Sequence, residues 1–240
     1  METNVLNRTL SVIEFLRTYH QHQVVGVDNI PRQGPALVVM NHSLATYDGF
    51  LLAGAVYLRH GRIVRTLGDR RIFRVPVLSR LASKLGFVEG SPLAGEKLLK
   101  DGHLVLVAPG GMKESLRPSS HRYEILWNNR PGFARLSLST GAPIVLAACP
   151  CADNIYRIYK NVLTPLVYER FRMPLPIARG LGLSILTRPV RLRHYISPPI
   201  HPPSIPKEQL NDAVPEFHSY VIGEMQKLMT LALEQNRGQE

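Results

Sequence analysis

Three short stretches of the chain are almost entirely apolar, and turn-forming residues flank each of them. They are Ala36–Met40, His103–Ala108 and Pro143–Ala148. An apolar run of this length without alternation is typical of a strand that a parallel sheet buries on both faces. Weaker patterns predict further strands at 23–27, 63–67 and 86–88.

Apolar residues recur three and four positions apart between these strands, which predicts helices. The predicted helices span 48–59, 75–85, 92–100 and 131–140. Ser91 and Pro92 suit the cap and the first position of one of them. Because helix and strand alternate, we expect an α/β fold with a single central, mostly parallel sheet flanked by helices.

The two ends of the chain carry longer helical patterns. Val5–Tyr19 forms an amphipathic stripe, which suits packing on the core or, less favoured, a lipid interface. The longest pattern covers 207–235, with Pro215 near its start. We expect an N-terminal amphipathic helix over 1–20 and one domain over 21–240.

The charge balance favours an anionic partner. Lys and Arg number 29 against 18 Asp and Glu, for a formal net charge of +11. Such an excess suits nucleic acid, an anionic membrane surface or a phosphorylated substrate such as a coenzyme A thioester. Aromatic residues make up 7% and are not interleaved with the basic ones, so nucleic acid is not expected. The basic, apolar stretch 162–193 suits lipid headgroups or a solvated loop.

Targeting and cofactor signals are few. Glu2 precedes no long apolar core, so no signal peptide is expected, and no run reaches the length of a membrane-spanning helix. Cys149 and Cys151 lie too close for an easy disulfide and lack a second pair for zinc. We therefore expect reduced cysteines, no metal and no resident cofactor.

The first candidate for chemistry is His42, which follows a predicted buried strand and precedes Asp48. Ligands bind at the carboxyl ends of strands in open α/β sheets, so this position favours a site. An aspartate that folds back on a histidine makes an oriented general base. The alternative is that these are turn residues, with Asp48 favoured near a helix N-terminus.

A glycine pair, Gly110 and Gly111, follows the second apolar strand. It suits close approach of backbone N–H groups to a ligand, or simply a tight turn. We expect Asn41–His42, Pro109–Glu114 and Ala142–Pro143 with its following strand to meet at one edge of the sheet.

Taken together, these motifs resemble a known family. His42 and Asp48 are followed by Pro109–Leu116, Asn129–Leu136, Gly141–Val145 and Asp153–Tyr156. The ordered set is similar to the glycerolipid and lysophospholipid acyltransferases, and most similar to the monoacylglycerol and diacylglycerol acyltransferase branch. The resemblance covers roughly residues 20–200 and implies a glycerol-phosphate-acyltransferase-like fold.

The resemblance implies direct acyl transfer without a covalent intermediate. His42 takes the proton of a lipid hydroxyl as it attacks an acyl thioester, and Asp48 holds the imidazole. Backbone N–H groups stabilise the oxyanion. The implied substrate-binding residues are Gly110, Gly111, Lys113, Glu114, Arg70 and Arg71, with Arg74 nearby and a solvated face as the alternative for the arginines.

The implied partners are acyl-CoA or an acyl carrier protein, together with membrane lipids on the cytoplasmic side. A lipid or thioester hydrolase with Ser43 as nucleophile, and a non-catalytic anionic-lipid-binding protein, are the alternatives. No Gly-x-Ser-x-Gly element is present, which counts against a serine hydrolase.

Two departures from the family pattern bear on these expectations. Five residues separate His42 from Asp48 where four are commonest, and Tyr47 stands where the acid is then expected. Gly110 and Lys113 replace the glutamate and arginine of the phosphate-handling members, which weakens the case for a glycerol-phosphate acceptor.

Overall fold

A computed structural model describes residues 2–74, 76–128, 130–160 and 177–238. Nine strands are found in these ranges: β1 Gln23–Val25, β2 Ala36–Met40, β3 Val64–Gly68, β4 Phe87–Glu89, β5 Leu104–Val107, β6 Ile144–Ala148, β7 Arg157–Ile158, β8 Ala178–Arg179 and β9 Arg193–Ile196. The helices are α1 Glu2–Tyr19, α2 Tyr47–His60, α3 Arg70–Arg74, α4 Pro76–Lys84, α5 Pro92–Lys100, α6 Gly111–Ser115, α7 Gly132–Thr140 and α8 Leu210–Arg237.

Seven strands form the central sheet in the order β1-β9-β6-β2-β5-β3-β4, and β7 pairs with β8 separately. β2 pairs in parallel with both β5 and β6, whereas β9 runs antiparallel to β6 and parallel to β1. The predicted α/β fold with a mostly parallel central sheet and a long C-terminal helix is confirmed.

Successive residues of β2 enter opposite faces of the sheet, as the two-residue period of a strand requires. Leu37 and Val39 pack in the cluster that includes residues of α7 and α8, while Val38 and Met40 pack with α2. Burial on both faces explains why this strand is apolar at every position.

Helix α1 packs on α2, with Ile13 against Gly54, while Val12 and Phe15 of the same helix are exposed. It therefore combines a packed face with exposed apolar side chains. The division into residues 1–20 and 21–240 stays a prediction. None of the helices that the structure describes is long and apolar enough to span a membrane.

Residues 162–193 were predicted to form an irregular basic insert, but the last part of this stretch contains strands. Residues 161–176 lie outside the described residues, but β8 falls inside the stretch and β9 begins at Arg193. β9 was missed because its sequence, Arg-His-Tyr-Ile, is not an apolar run although its last three residues are buried.

The carboxyl ends of β2, β3, β5 and β6 meet at one edge of the sheet, since these strands are parallel. His42 and Pro109–Glu114 therefore share that edge, as predicted. Ala142–Pro143 does not, because it precedes β6 and lies at the opposite edge. The chain that follows β6, from Cys149 to Asp153, takes its place beside His42.

Candidate active site

Asn41 fixes the backbone from which His42 projects. Its fully buried side chain donates to the carbonyl oxygen of Cys149 at 3.3 Å and accepts from the N–H of Cys149 at 2.9 Å. These two bonds join the ends of β2 and β6. The adjacent His42 is consequently attached to two strands rather than one.

The hydrogen bonds of His42 define its tautomer. Nδ1 lies 2.7 Å from the carbonyl oxygen of Ser43, and a carbonyl can only accept, so Nδ1 carries the proton. Nε2, which is 3.4 Å from the Thr46 hydroxyl oxygen, then keeps its lone pair. Burial lowers the pKa of His42, against the opposing effects of the Ser43 carbonyl and the Asp48 charge. The ring is therefore a neutral base at neutral pH.

Asp48 is fully buried and is connected to His42 through Ser43. One carboxylate oxygen accepts from the Ser43 hydroxyl, and the other lies 3.3 Å from Nε2 of His194. Within the described residues no hydrogen bond joins Asp48 directly to the His42 ring. The direct bond that the resemblance implied is replaced by Ser43, whose hydroxyl meets the acid and whose carbonyl meets the base.

The extra residue between His42 and Asp48 is accommodated at Thr46. This residue adopts a left-handed conformation, with φ 52° and ψ 35°, between a short 3-10 turn and α2. A β-branched residue is unfavourable there by about 1–2 kcal/mol. The Tyr47 side chain turns to His20, whose Nε2 accepts from the phenol at 3.0 Å. Asp48, and not Tyr47, thus contacts Ser43 beside His42.

A buried ion cluster follows the glycine pair. Arg117 lies 3.2 Å from Glu114 and makes bonds of 2.7 and 2.5 Å to the two oxygens of Asp153. The Trp127 indole donates to Glu114 at 2.9 Å. The cluster ties the segment after β5 to the segment after β6.

This cluster holds two carboxylates against one guanidinium. Burial raises the pKa of Glu114 to about 7, although Arg117, Trp127 and the backbone N–H of His42 all favour the charged form. Burial also raises the pKa of Asp153, against the opposing charge of Arg117. Burial is the largest effect on both carboxyl groups, so the Arg117 charge does not restore ordinary pKa values.

The predicted substrate-binding residues differ in accessibility. Glu114 is 1% exposed and contacts protein groups, whereas Lys113 of the same helix is exposed. Arg70 follows β3 at the same edge and pairs with Glu89 at 3.4 Å, and the Arg71 side chain lies outside the described residues. Asn129 of the resemblance also lies outside them. Acceptor contact stays a prediction for these residues.

The two glycines serve different purposes. A Cβ on Gly110 would overlap with the Glu114 carboxylate, which folds back over it. Gly111 begins α6 with φ 53°, and its N–H donates to the carbonyl of Ala108 at 3.2 Å. The Gly111 N–H is thus occupied, and oxyanion binding by this pair stays a prediction.

An open cleft of about 600 Å³ lies near this cluster. Four basic side chains line it, and none of its described lining residues is acidic. The basic lining residues are Arg122, Arg157, Lys160 and Arg188. Ser119, Arg122, Tyr156 and Ile158 also line a smaller pocket that reaches Leu44 and Glu114. The basic cleft therefore adjoins the segment that carries His42.

Sequence reasoning missed His194 and Arg117. No pattern marks His194, because nothing in the sequence shows that β9 lies beside β6. Arg117 stands three residues after Glu114, the spacing of an i,i+3 ion pair, which is the one signal that indicates it.

Residues 21–149 match the family model described as Acyltransferase. This range is more than half of the chain and contains His42, Asp48 and Glu114. The chain belongs to the acyltransferase family. The predicted recognition of this family is thereby confirmed.

Proteins from animals and bacteria are similar to this chain in sequence. A bovine (Bos taurus) protein named DGAT1/2-independent enzyme synthesizing storage lipids is 29% identical over 232 residues, which cover 92% of this chain and 66% of the relative. An uncharacterized protein of Mycobacterium tuberculosis is 33% identical over 179 residues, covering 70% of this chain and 49% of its own length. The chain thus spans about half to two thirds of the length of these relatives.

A solved structure supports the fold. The 1-acyl-sn-glycerophosphate (LPA) acyltransferase PlsC from Thermotoga maritima matches with a TM-score of 0.54 and 17% sequence identity, over 93% of this chain and 81% of that chain. At this identity the likeness concerns the architecture alone. It agrees with the acyltransferase-like sheet predicted from the sequence.

Proposed function

We propose that this protein is an O-acyltransferase that moves a fatty acyl group from an acyl thioester to the hydroxyl of a glycerolipid or a related lipid alcohol. The observation that carries the proposal is the state of His42, a neutral imidazole whose unprotonated Nε2 accepts a long 3.4 Å hydrogen bond from the Thr46 hydroxyl at the carboxyl edge of the sheet. Family membership and the storage-lipid name of the bovine relative support the same reaction.

The proposed reaction is a direct transfer. Nε2 of His42 takes the proton of the acceptor hydroxyl as its oxygen attacks the thioester carbonyl. The new C–O bond forms, the C–S bond breaks, and the imidazolium returns the proton to the departing thiolate. The buried Asp48 charge stabilises the imidazolium, while the Ser43 carbonyl keeps the ring orientation.

The Ser43 hydroxyl argues against the hydrolase alternative. Ser43 is 2% exposed and its hydroxyl donates to Asp48. A nucleophilic serine requires a base that removes its proton and access to the substrate carbonyl. Ser43 is buried, and no imidazole of the described residues contacts its hydroxyl, so acyl transfer to an external hydroxyl is favoured.

The basic cleft supports an anionic donor, acyl-CoA or an acyl carrier protein. Arg122, Arg157, Lys160 and Arg188 offer four cations in one open cleft, which suits phosphate groups or an acidic protein surface. The cleft adjoins Leu44 and Glu114, so a thioester could extend from it toward His42.

Exposed apolar side chains support action at a membrane surface. Leu183 and Ile185 are 92% and 84% exposed and lie on a short loop between Arg179 and Arg188. Apolar tips flanked by basic residues suit insertion among anionic headgroups. We place the protein at the cytoplasmic side of a membrane, with membrane lipids as its partners and no nucleic acid.

The test is an assay of purified protein with labelled acyl-CoA and a panel of acceptors. The panel holds lysophospholipid, glycerol phosphate, monoacylglycerol, diacylglycerol and a long-chain alcohol, with products separated by chromatography and free thiol measured in parallel. We expect an acyl ester and one thiol per ester with at least one lipid alcohol. Free fatty acid released without any acceptor would instead identify a hydrolase.

A further inference from the structure

A line of buried polar side chains reaches Asp48 from the end of α1. Nε of Arg17 donates to Nδ1 of His22 at 3.1 Å, and Nε2 of His22 lies 2.9 Å from Nδ1 of His194. Nε2 of His194 then lies 3.3 Å from Asp48. His194 and Asp48 are completely buried, and His22 is nearly so. Three segments far apart in sequence thus converge on one carboxylate.

The direction of these hydrogen bonds follows from their first donor. A guanidinium has no acceptor, so Nδ1 of His22 must accept from Arg17 and carry no proton. Burial lowers the pKa of His22 to about 2, helped by the nearby His194 and Arg17, so the ring is neutral and its single proton is on Nε2. His22 consequently donates to Nδ1 of His194.

The same reasoning assigns the tautomer of His194. Its Nδ1 accepts from His22, so its proton is on Nε2, which faces the second oxygen of Asp48. Nε2 of His194 and that oxygen lie 3.3 Å apart without hydrogen-bond alignment, and neither has a hydrogen-bond partner in the described residues. A buried polar atom without a partner is costly, so a small rotation that aligns this N–H with this oxygen would satisfy both atoms at once.

We propose that His194 is a positioning residue, which donates its Nε2 proton to Asp48 and so keeps the other carboxylate oxygen on Ser43. This inference rests on the proposed function of His42 and Asp48. With one oxygen held by His194, the carboxylate plane is fixed. Ser43 then presents its carbonyl to Nδ1 of His42, and Nε2 of His42 stays the base.

A metal at the same position conflicts with this arrangement. Asp48, Cys149 and His194 are buried, and their potential ligand atoms lie within 4.8 Å of one another. A metal on Nε2 of His194 would move the proton to Nδ1 and require His22 to accept at Nε2. His22 would then carry a proton on Nδ1, directly opposed to the Arg17 N–H.

The first test compares two substitutions of the same residue. His194→Gln keeps an N–H donor near the position of Nε2, whereas His194→Leu fills the space without one. We expect His194→Leu to lose at least tenfold in kcat, on the order of 10²-fold for a displaced catalytic group, with KM changed by less than about threefold. His194→Gln should recover most of kcat.

Equal kcat losses in the two variants, or an unchanged kcat in His194→Leu, would overturn the inference. Thermal unfolding of both variants checks that they are folded. His42→Ala separates this inference from the proposed function. If His42→Ala transfers acyl groups at the wild-type rate, the proposed function fails. If His42→Ala is inactive and His194→Leu is fully active, only the positioning role fails.

The second test reads the tautomers directly in the wild-type protein and needs neither activity nor a variant that folds. Long-range ¹H–¹⁵N correlation spectra should show His22 and His194 as neutral rings protonated at Nε2. Protonation of either ring at Nδ1 would contradict the assignment. Titration with Co²⁺ should give no thiolate charge-transfer band, and such a band would identify a metal site at Cys149 instead.

Discussion

Replacing Glu114 with glutamine removes a buried ionisable group whose burial raises its pKa to about 7 from an ordinary value of 4.5. The amide keeps the size of the side chain and an oxygen that can accept from Trp127, but it cannot carry charge. The variant therefore isolates the penalty of ionising a carboxyl group that is buried away from water.

The raised pKa of Glu114 determines whether this group stabilises or destabilises the folded protein as the pH rises. Below pH 4.5 the carboxyl is protonated in both folded and unfolded chains, so it adds no pH dependence. Between about pH 4.5 and 7 the unfolded chain loses this proton first, so its ionisation stabilises the unfolded state as the pH rises. Above about pH 7 both states are ionised and the loss of stability is complete.

The magnitude follows from the size of the shift. The carboxyl pKa rises from 4.5 to about 7, and each unit corresponds to about 1.4 kcal/mol, so wild type should lose about 3 kcal/mol. Glu114→Gln lacks this loss. The difference in unfolding free energy between variant and wild type should therefore move by about 3 kcal/mol in favour of the variant between pH 4.5 and 8.

The assay is urea unfolding of both proteins at intervals of half a pH unit. The difference in unfolding free energy between the two proteins cancels the contribution of every group that titrates alike in both. Glu96→Gln is the matched control, because Glu96 forms an i,i+4 surface pair with Lys100 and its difference should vary by less than about 1 kcal/mol. A flat difference for Glu114→Gln, or one that favours wild type at pH 8, would refute the reasoning.

The remaining expectations concern single positions. Gly110→Ala should lower kcat at least tenfold, because the new Cβ displaces Glu114. In the control Gly132→Ala the new Cβ points into open space, so kcat should not fall. Equal activities of the two variants would show that Gly110 tolerates a side chain. Gly54→Ala should lower the unfolding free energy by about 1–3 kcal/mol, because its Cβ overlaps with Ile13. In the control Gly223→Ala, in α8, the new Cβ meets no other atom, so this variant should raise the unfolding free energy by up to about 1 kcal/mol. If calorimetry shows the same loss of stability for Gly54→Ala and Gly223→Ala, the packing argument is excluded. In Glu114→Gln, the acid limb of the pH profile of kcat/KM should lie below pH 6.5, the ordinary pKa of histidine. The reason is that His42 must be unprotonated to act and burial lowers its pKa. An acid limb above pH 6.5 would assign the loss of activity to another group.

Most of the sheet could be predicted because its buried strands carry an unmistakable pattern. β2, β5 and β6 are apolar throughout, and their burial on two faces is what selects such sequences. β9, which runs antiparallel to β6, is harder to predict from the sequence because it is short and contains charged and aromatic residues. Its partner β1 also ends two residues earlier than predicted, where Gly26 takes φ 78°.

The candidate site was found from its sequence motif, but its internal contacts were not. His42 and Asp48 are close in sequence, so local spacing identifies them. The partners of Asp48 depend on which strand lies beside β6, and that is a property of topology. Ala142–Pro143 was placed at the wrong edge because the block precedes its strand, whereas ligand sites follow their strands.

The central claim is that His42 is the general base of acyl transfer, and one comparison tests it most directly. His42→Ala and His201→Ala are assayed with labelled acyl-CoA and the best acceptor of the panel, with ester and free thiol measured together. His201 is exposed and follows Ile200, which pairs with Ile144 at the opposite end of β6. We expect His42→Ala to lose about 10²- to 10⁴-fold in kcat, with His201→Ala unchanged. A folded His42→Ala protein that forms ester at the wild-type rate would contradict the claim.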